Sequence, residues 1–457
     1  MKGFKMRQLS NYRILQRNAD GYAHVELEGQ IPDKISDCER VFCMACREDD
    51  NLIIFNWAKC RFENKIWSIG FDLPEGGLYR IEIVAGDSKT QPQFCRRIKI
   101  ISHIGVGDIY IMAGQSNMSG YGRDSAYDPP ELGVHLFANN GSWTVAAHPL
   151  SDPTDTIYPE NAEDHSQTSP ALSFARSLKR HLGIPIGLVP AALGGSPLSA
   201  WHPEENGYLY RSMKRRIDDI GDFKGFIWYQ GCADCAPRYA DRYLDRFKRM
   251  VRLWRDDLGQ NHCFITVQLN QWAGGPRDLA TDRCWGLVRE AQRRAAKEIP
   301  GVYVVPSSDM ALNDGIHNSS GSNVMIGERM ANTALKNIYG KNGQDAPDVV
   351  SVTRIDCSHI FVKYTTDTFI FPMDGLALGV NVEDEHGLIE CTQTVCKGDG
   401  LLITTARPFV LPANFHSMWR CILPSFIPRS MNGLPVLSCY NVEISENNES
   451  ETQTDLK

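Results

Sequence analysis

No run of apolar residues in this chain approaches the roughly 20 that a membrane-spanning helix needs. A basic excess is missing too. The 457 residues carry a formal net charge of -7, so there is no electrostatic footprint for nucleic acid or for an anionic membrane. Met1 to Gln16 contains Lys2, Lys5, Arg7 and Arg13 but no apolar core behind them. It does not read as a secretory signal, and a cytoplasmic location is the expectation. Cysteine, by contrast, is plentiful: fourteen in all. In a chain this long they do not make a disulfide scaffold, and they are expected to be mostly reduced thiols. Cys43-x-x-Cys46 and Cys232-x-x-Cys235 could in principle supply four thiolates to zinc. The pairs lie far apart, in segments assigned to different domains, and neither has a zinc-knuckle context, so no metal is expected.

Composition is that of a globular protein, 42% hydrophobic and 23% charged, and the length suits two or three domains. Residues 1–105 read as β. Runs such as Leu52-Ile53-Ile54-Phe55-Asn56-Trp57 and Leu78-Tyr79-Arg80-Ile81-Glu82-Ile83-Val84 alternate with turn signals, which suggests an antiparallel sandwich. Over 106–342 the rhythm becomes strand, loop, helix, as in a parallel sheet with helices on both faces. Helices are expected at 170–182, 238–257, 284–299 and 322–338, and strands at 184–189, 226–229, 264–269 and 302–305. Strand patterns return over 343–445, for instance Ile360 to Tyr364, Phe369-Ile370-Phe371 and Leu401 to Thr404. The polar tail 446–457 is expected to be disordered. No internal repeat is visible.

Four loops of the middle region each follow an expected strand. The first comes after the buried run Ile109 to Ala113, where the chain stops at Gly114 and delivers Gln115-Ser116-Asn117. The second is Gly194-Gly195-Ser196, with Trp201 beyond it. The third is Gln230-Gly231-Cys232-Ala233-Asp234, and the fourth runs from Ser308 to Asp314 and His317. Successive parallel strands place their following loops on one edge, so all four can converge. The inventory is that of acyl transfer. Ser116 needs a base, and His317 can serve; Asp314 can hold the imidazole in the useful tautomer. The oxyanion needs donors, which Gly194 or Gly195, Gln230 and the Ser116 N–H could supply. No long apolar loop suited to an acyl chain is present. Trp201, His202, Trp143 and Tyr121 are groups able to stack on a sugar.

Gly114-Gln115-Ser116-Asn117-Met118, Gly194-Gly195-Ser196, Trp228-Tyr229-Gln230-Gly231 and Asp314-x-x-His317 together resemble the SGNH-type carbohydrate esterases. The sialate O-acetylesterases and their acetylxylan esterase relatives are the most similar. The resemblance covers the middle region well and the flanking β regions weakly. It implies a three-layer α/β/α hydrolase domain that takes acetyl groups off sugar hydroxyls without metal or cofactor. Ser116 would be the nucleophile, His317 the base and Asp314 its partner, with Gly194, Gly195 and Gln230 at the oxyanion hole. Gln115, Asn117, Trp201 and Asp234 would contact a small acetylated sugar or oligosaccharide; the oligomeric state is left open. Two departures stand out. Cys232 occupies the place where the family usually has Glu, and Asn318 follows His317 where the family often has Pro. A non-catalytic sugar-binding protein on the same scaffold is the alternative from another class.

Overall fold

The structure, a computed structural model, describes residues 9–446 apart from 33–34, 36–37, 165, 260–261, 367–368, 371–378 and 425. The expected tail beyond Glu446, the basic residues Lys2, Lys5 and Arg7, and Phe371 lie outside the described residues. The chain packs as two compact units. The first holds the described residues through Tyr121, then Ser125–Gly194 and Pro203–Ile227. The second holds Gly122–Asp124, Gly195–His202 and the described residues from Trp228 onward. The N-terminal β region thus belongs to the first unit and the C-terminal one to the second.

In the first unit eight strands come before any α-helix: β1 (Ile14–Gln16), β2 (Tyr22–Gln30), β3 (Arg40–Arg47), β4 (Ile53–Lys59), β5 (Arg61–Glu63), β6 (Ile66–Pro74), β7 (Gly76–Gly86) and β8 (Arg96–Gly114). Strand β2 alternates as a half-buried strand should, with Ala23, Val25 and Leu27 inward and Tyr22, His24 and Glu26 outward. It pairs antiparallel with β6, and β6 with β5. Strands β4, β3, β7 and β8 form a second antiparallel set. Val25, Leu27, Trp67 and Phe71 from one set share a core with Ala45, Ile81 and Ile83 from the other.

The strand expected at Ile109 to Ala113 is the last part of a 19-residue strand. Its two parts carry different patterns, which is why only the second stood out. Residues 96–104 are partly exposed and pair antiparallel with β7, whereas 104–114 are buried throughout. From Gly105 the strand runs parallel to β1, and from Asp108 parallel to β11 (Ile186–Pro190). Asp108 is fully buried, and its carboxylate accepts from Gln16 Nε2 at 2.7 Å and Arg17 Nη2 at 2.9 Å. Strand β9 (Val134–Phe137) lies parallel to β11 on its far side, and β10 (Trp143–Val145) closes the edge antiparallel.

Among the helices of this unit, α1 (Ser116–Ser119) is a single turn. Helix α2 (Pro170–Leu182) has the expected bounds: the Ser169 side chain caps it and Gly183 ends it in the left-handed region. Helix α4 (Tyr208–Ile220) was not anticipated. It starts after Gly207 without a capping side chain, and its inward Leu209, Met213 and Ile217 are interspersed with basic residues. In the second unit, α3 (Leu198–Trp201) is another single turn. Strand β12 (Gly225–Tyr229) begins in the first unit and ends in the second, where the sheet order continues through β13 (Cys263–Val267) to β14 (Val302–Val305), the last two parallel.

The remaining helices are α5 (Tyr243–Leu258), α6 (Leu279–Glu298) and α7 (Ser320–Asn337). Helix α6 starts five residues before its expected position because Asp278 caps it through Thr281 N–H. The C-terminal region is a seven-stranded antiparallel sheet. Buried Arg289 of α6 fixes it, donating to the carbonyls of Leu269, Asn270, Met418 and Arg420 at 2.5–2.8 Å. Burial pulls that guanidinium down to about 10. No described helix is long and apolar enough to cross a membrane.

Trp254 of α5 is fully buried, edge-on to Trp228 and beside Trp201, and donates from Nε1 to Trp201 O at 3.1 Å. Truncation leaves a cavity and a carbonyl without its donor, so Trp254→Ala is expected to cost about 3–5 kcal/mol. Urea unfolding checks this, and a midpoint equal to wild type would contradict the packing described.

Candidate active site

Strand β8 ends at Gly114 with φ 126°, a conformation that favours glycine. The chain passes through extended Gln115 into the turn of α1, closed by the Gly120 N–H donating to Ser116 O at 2.8 Å. Gln115, Ser116 and Asn117 are all buried. A neighbouring segment braces the turn. Ser169 Oγ, the cap of α2, donates to Met118 O at 2.7 Å, and Gln167 N–H donates to Gly120 O at 2.6 Å.

The glycine loop follows β11. Leu193 N–H donates to Gly114 O at 3.0 Å. Gly194 N–H then points at a carboxylate, lying 3.1 and 3.2 Å from the two oxygens of Glu163. Tyr121 OH donates to the same Glu163 at 2.5 Å. A Cβ at position 194 would stand 2.2 Å from Glu163 Oε1, so any larger residue there would displace the Glu163 carboxylate from its bond. Gly195 has φ 66°, with open space where a Cβ would be. Nothing in the sequence singled out Glu163, because loop composition does not reveal which carboxylate will be buried.

In the second unit Gln230 is fully buried, and its side-chain amide is taken up within the protein. Nε2 donates to Asp234 Oδ2 at 2.7 Å and to Ser196 O at 3.2 Å, while Oε1 accepts from Tyr243 OH at 2.9 Å. In this arrangement the side-chain amide of Gln230 and the N–H of Gly194 are bonded within the protein. Asp234 is buried as well, accepting from Leu198 N–H at 2.8 Å and Arg246 Nη1 at 2.9 Å besides Gln230. A carboxylate bonded on both oxygens and sealed from solvent holds loops rather than a sugar, which corrects the expected substrate contact. Trp201 is corrected likewise. It is fully buried against Trp228 and Trp254 and donates from Nε1 to Ser196 Oγ at 3.1 Å, so no sugar can stack on it. Trp143 is buried beside Phe137. Cys232 opens a short 3-10 turn, where burial pushes its thiol up to about 12, far from a thiolate nucleophile.

The fourth loop makes a small hairpin. Leu312 bridges Asn318, and Asn313 N–H donates to His317 O at 2.7 Å. His317 Nδ1 lies 2.8 Å from Asp314 Oδ2, while Asp314 Oδ1 accepts the N–H groups of Ile316 and His317 at 2.9 and 2.8 Å. A carboxylate can only accept, so the ring carries its proton on Nδ1 and leaves Nε2 as the basic nitrogen. Partial burial pushes the Asp314 carboxyl up, but the imidazole and backbone N–H bonds prevail and hold it below its ordinary value. Asn318, where the family often has Pro, is fully buried: it accepts from Asn270 Nδ2 at 2.7 Å and donates to Tyr229 OH at 3.2 Å. Gly122–Asp124 also bond this loop and α7. Arg123 N–H donates to Asn313 Oδ1 at 3.3 Å, and Ser320 N–H to Asp124 Oδ1 at 2.6 Å. Thus the structure joins His317 with Asp314, Gln230 with Asp234 and Ser196, and Gly194 with Glu163. Ser116 stands in the first unit and the His317–Asp314 pair in the second.

A parallel sheet with Ser116 just past the carboxyl end of a strand is the arrangement of an SGNH-type hydrolase. Residues 106–336, just over half of the chain, match the family described as "Carbohydrate esterase, sialic acid-specific acetylesterase", and the protein belongs to this family. It is 27% identical over 287 residues to a probable carbohydrate esterase of Arabidopsis thaliana, spanning 58% of this chain and 99% of the relative. A solved structure of a carbohydrate acetylesterase from Xanthomonas citri aligns over 95% of this chain and 98% of its own, at 21% identity and a TM-score of 0.68. The solved Arabidopsis thaliana protein covers 50% of this chain and 98% of its own, at 26% identity and a TM-score of 0.43.

Asp309 anchors the start of the His317 loop. Its side chain is nearly closed off from solvent, and the carboxylate takes both Arg329 Nη1 and Nη2 at 2.7 Å and Arg429 Nη1 at 2.7 Å. Burial raises the carboxyl, but the two guanidiniums outweigh it and the shift is downward. A carboxyl lowered on folding stabilises the protein above its unfolded value, about 4, and that stability is lost as pH falls through the folded value. Asp309→Asn is expected to destabilise by about 3 kcal/mol at pH 7, because it strands buried Arg329. In thermal unfolding across pH 7 to 3 the gap from wild type should narrow below about pH 4. A gap that stays constant with pH would contradict the ionic account.

Proposed function

We propose that this protein is a serine esterase that removes O-acetyl groups from a carbohydrate, most directly O-acetylated sialic acid, with acetylated xylo-oligosaccharides as the second class. The His317–Asp314 pair carries the reading: a 2.8 Å bond fixes the tautomer in which Nε2 can take a proton.

In the proposed reaction Ser116 Oγ attacks the acetyl carbonyl carbon while His317 Nε2 takes the hydroxyl proton. Asp314 stays ionised and steadies the imidazolium. The tetrahedral oxyanion takes N–H groups from the backbone of Ser116 and Gly195. The C–O bond to the sugar breaks, and His317 returns the proton to the departing sugar oxygen. Water, deprotonated by the same Nε2, then attacks the acetyl-serine; its C–O bond breaks, His317 returns the proton to Ser116 Oγ, and acetate leaves. Gln230 and Asp234 brace the Ser196 side of the glycine loop, and no cofactor enters the scheme.

Ser116→Ala is expected to lower p-nitrophenyl acetate turnover by about 10⁴ or more without changing the melting temperature. Asp314→Asn is expected to lose about 10⁴ in kcat, because the wrong tautomer would face the serine. Equal, feeble rates in wild type and Ser116→Ala would remove the esterase reading in favour of sugar binding without turnover. Acetate release from O-acetylated sialic acid, measured against acetylated xylo-oligosaccharides with the active enzyme, decides the substrate.

A further inference from the structure

Four side-chain or backbone groups of one loop reach the two loops nearest the serine. Gln167 N–H and Ser169 Oγ hold the nucleophile turn at Gly120 O and Met118 O. Asn161 Nδ2 donates to Ala191 O on the glycine loop, and its Oδ1 accepts from Ser212 Oγ at 2.6 Å. Glu163 lies between them and touches both sides. Its carboxylate takes Tyr121 OH, at the far end of the nucleophile turn, and Gly194 N–H, at the near end of the glycine loop.

We propose that Glu163 is a positioning residue for the oxyanion side of the site, fixing the Gly194–Gly195 peptide relative to the nucleophile turn. The proposal rests on the esterase reading above. A backbone N–H bound to a carboxylate makes a charge-assisted bond, stronger and more directional than one to a neutral acceptor. An oxyanion sharing the Gly194 N–H would lie against the Glu163 carboxylate and be repelled by it. Glu163 therefore selects Gly195 as the donor of this loop and, by seating Gly194, sets where that donor stands. The 2.2 Å approach of a hypothetical Cβ at 194 to Glu163 Oε1 shows how closely the two are fitted. Glu163 touches no reacting atom in this account, and its effect on rate passes through the loop.

The test compares wild type with Glu163→Ala, Glu163→Gln and Tyr121→Phe. The readouts are kcat and KM on p-nitrophenyl acetate, the melting temperature, and labelling of Ser116 by a fluorophosphonate. Misplacing a catalytic donor by about 1 Å can cost about 10²-fold. Glu163→Ala is therefore expected to lose about that factor in kcat, with KM little changed and the melting temperature close to wild type. Glu163→Gln keeps an acceptor for Gly194 N–H and should recover most of the loss; Tyr121→Phe should fall between the two. Wild-type kcat in Glu163→Ala would overturn the proposal while leaving the esterase reading intact. So would a loss in Glu163→Ala that Glu163→Gln does not restore, or one that merely tracks a fallen melting temperature. A wild type that neither turns over the ester nor labels at Ser116 would remove the esterase reading, and this role with it.

Discussion

From Arg96 to Gly114 the backbone runs in hydrogen-bonded ladders, first with β7, then with β1 and β11. A strand held in this way resists sliding, because a one-residue slip would exchange its faces and carry Asp108 away from Gln16 and Arg17. The buried charge makes such a slip costly, since an uncompensated carboxylate in the interior is penalised heavily. Gly114 therefore has a fixed address, and Ser116, two residues on, inherits it. The braces at Met118 O and Gly120 O act on a turn whose starting point is already set.

The loops around the candidate residues are held by buried polar groups rather than by apolar packing alone. Asp234 gathers a backbone N–H, an amide and a guanidinium. Asp309 gathers two guanidiniums, and Glu163 a hydroxyl and a backbone N–H. Each such carboxylate is directional, so it fixes both the distance and the angle of a loop, which greasy contacts cannot do as sharply. Three acidic residues then do the same kind of work at three strand ends.

What could be read from the chain alone follows from this division. Regular patterns were legible: α2 announced itself through Pro170, its apolar residues and Gly183, and β14 through its short apolar run. The pairing of Asp314 with His317 was legible because three residues of a loop suffice to make it. Long-range polar bonds were not. Glu163 meets Gly194 across 31 positions, and Asp234 meets Leu198 across 36. No spacing rule encodes such a meeting. Trp201 and Gln230 carried side chains of the right type for sugar and oxyanion, yet burial assigns Trp201 to the core and Gln230 to a bracing network. Helix α4 was hidden for the opposite reason, since its apolar residues sit among charges and no cap marks its start.

Arg289 has a consequence for how this fold can vary. Its guanidinium binds carbonyls on both sides of a seam, two beside β13 and two in the C-terminal region. Gln268 repeats the stitch, donating to Ser438 O and accepting Ser438 N–H, both at 2.8 Å. Removing the C-terminal sheet would take from Arg289 two of its four carbonyls and from Gln268 both of its bonds to Ser438, leaving a buried cation and an amide only partly satisfied. That sheet is therefore not an interchangeable module appended to a hydrolase. Duplication, fusion or trimming near residue 343 would have to replace those stitches before the rest of the chain could stand alone.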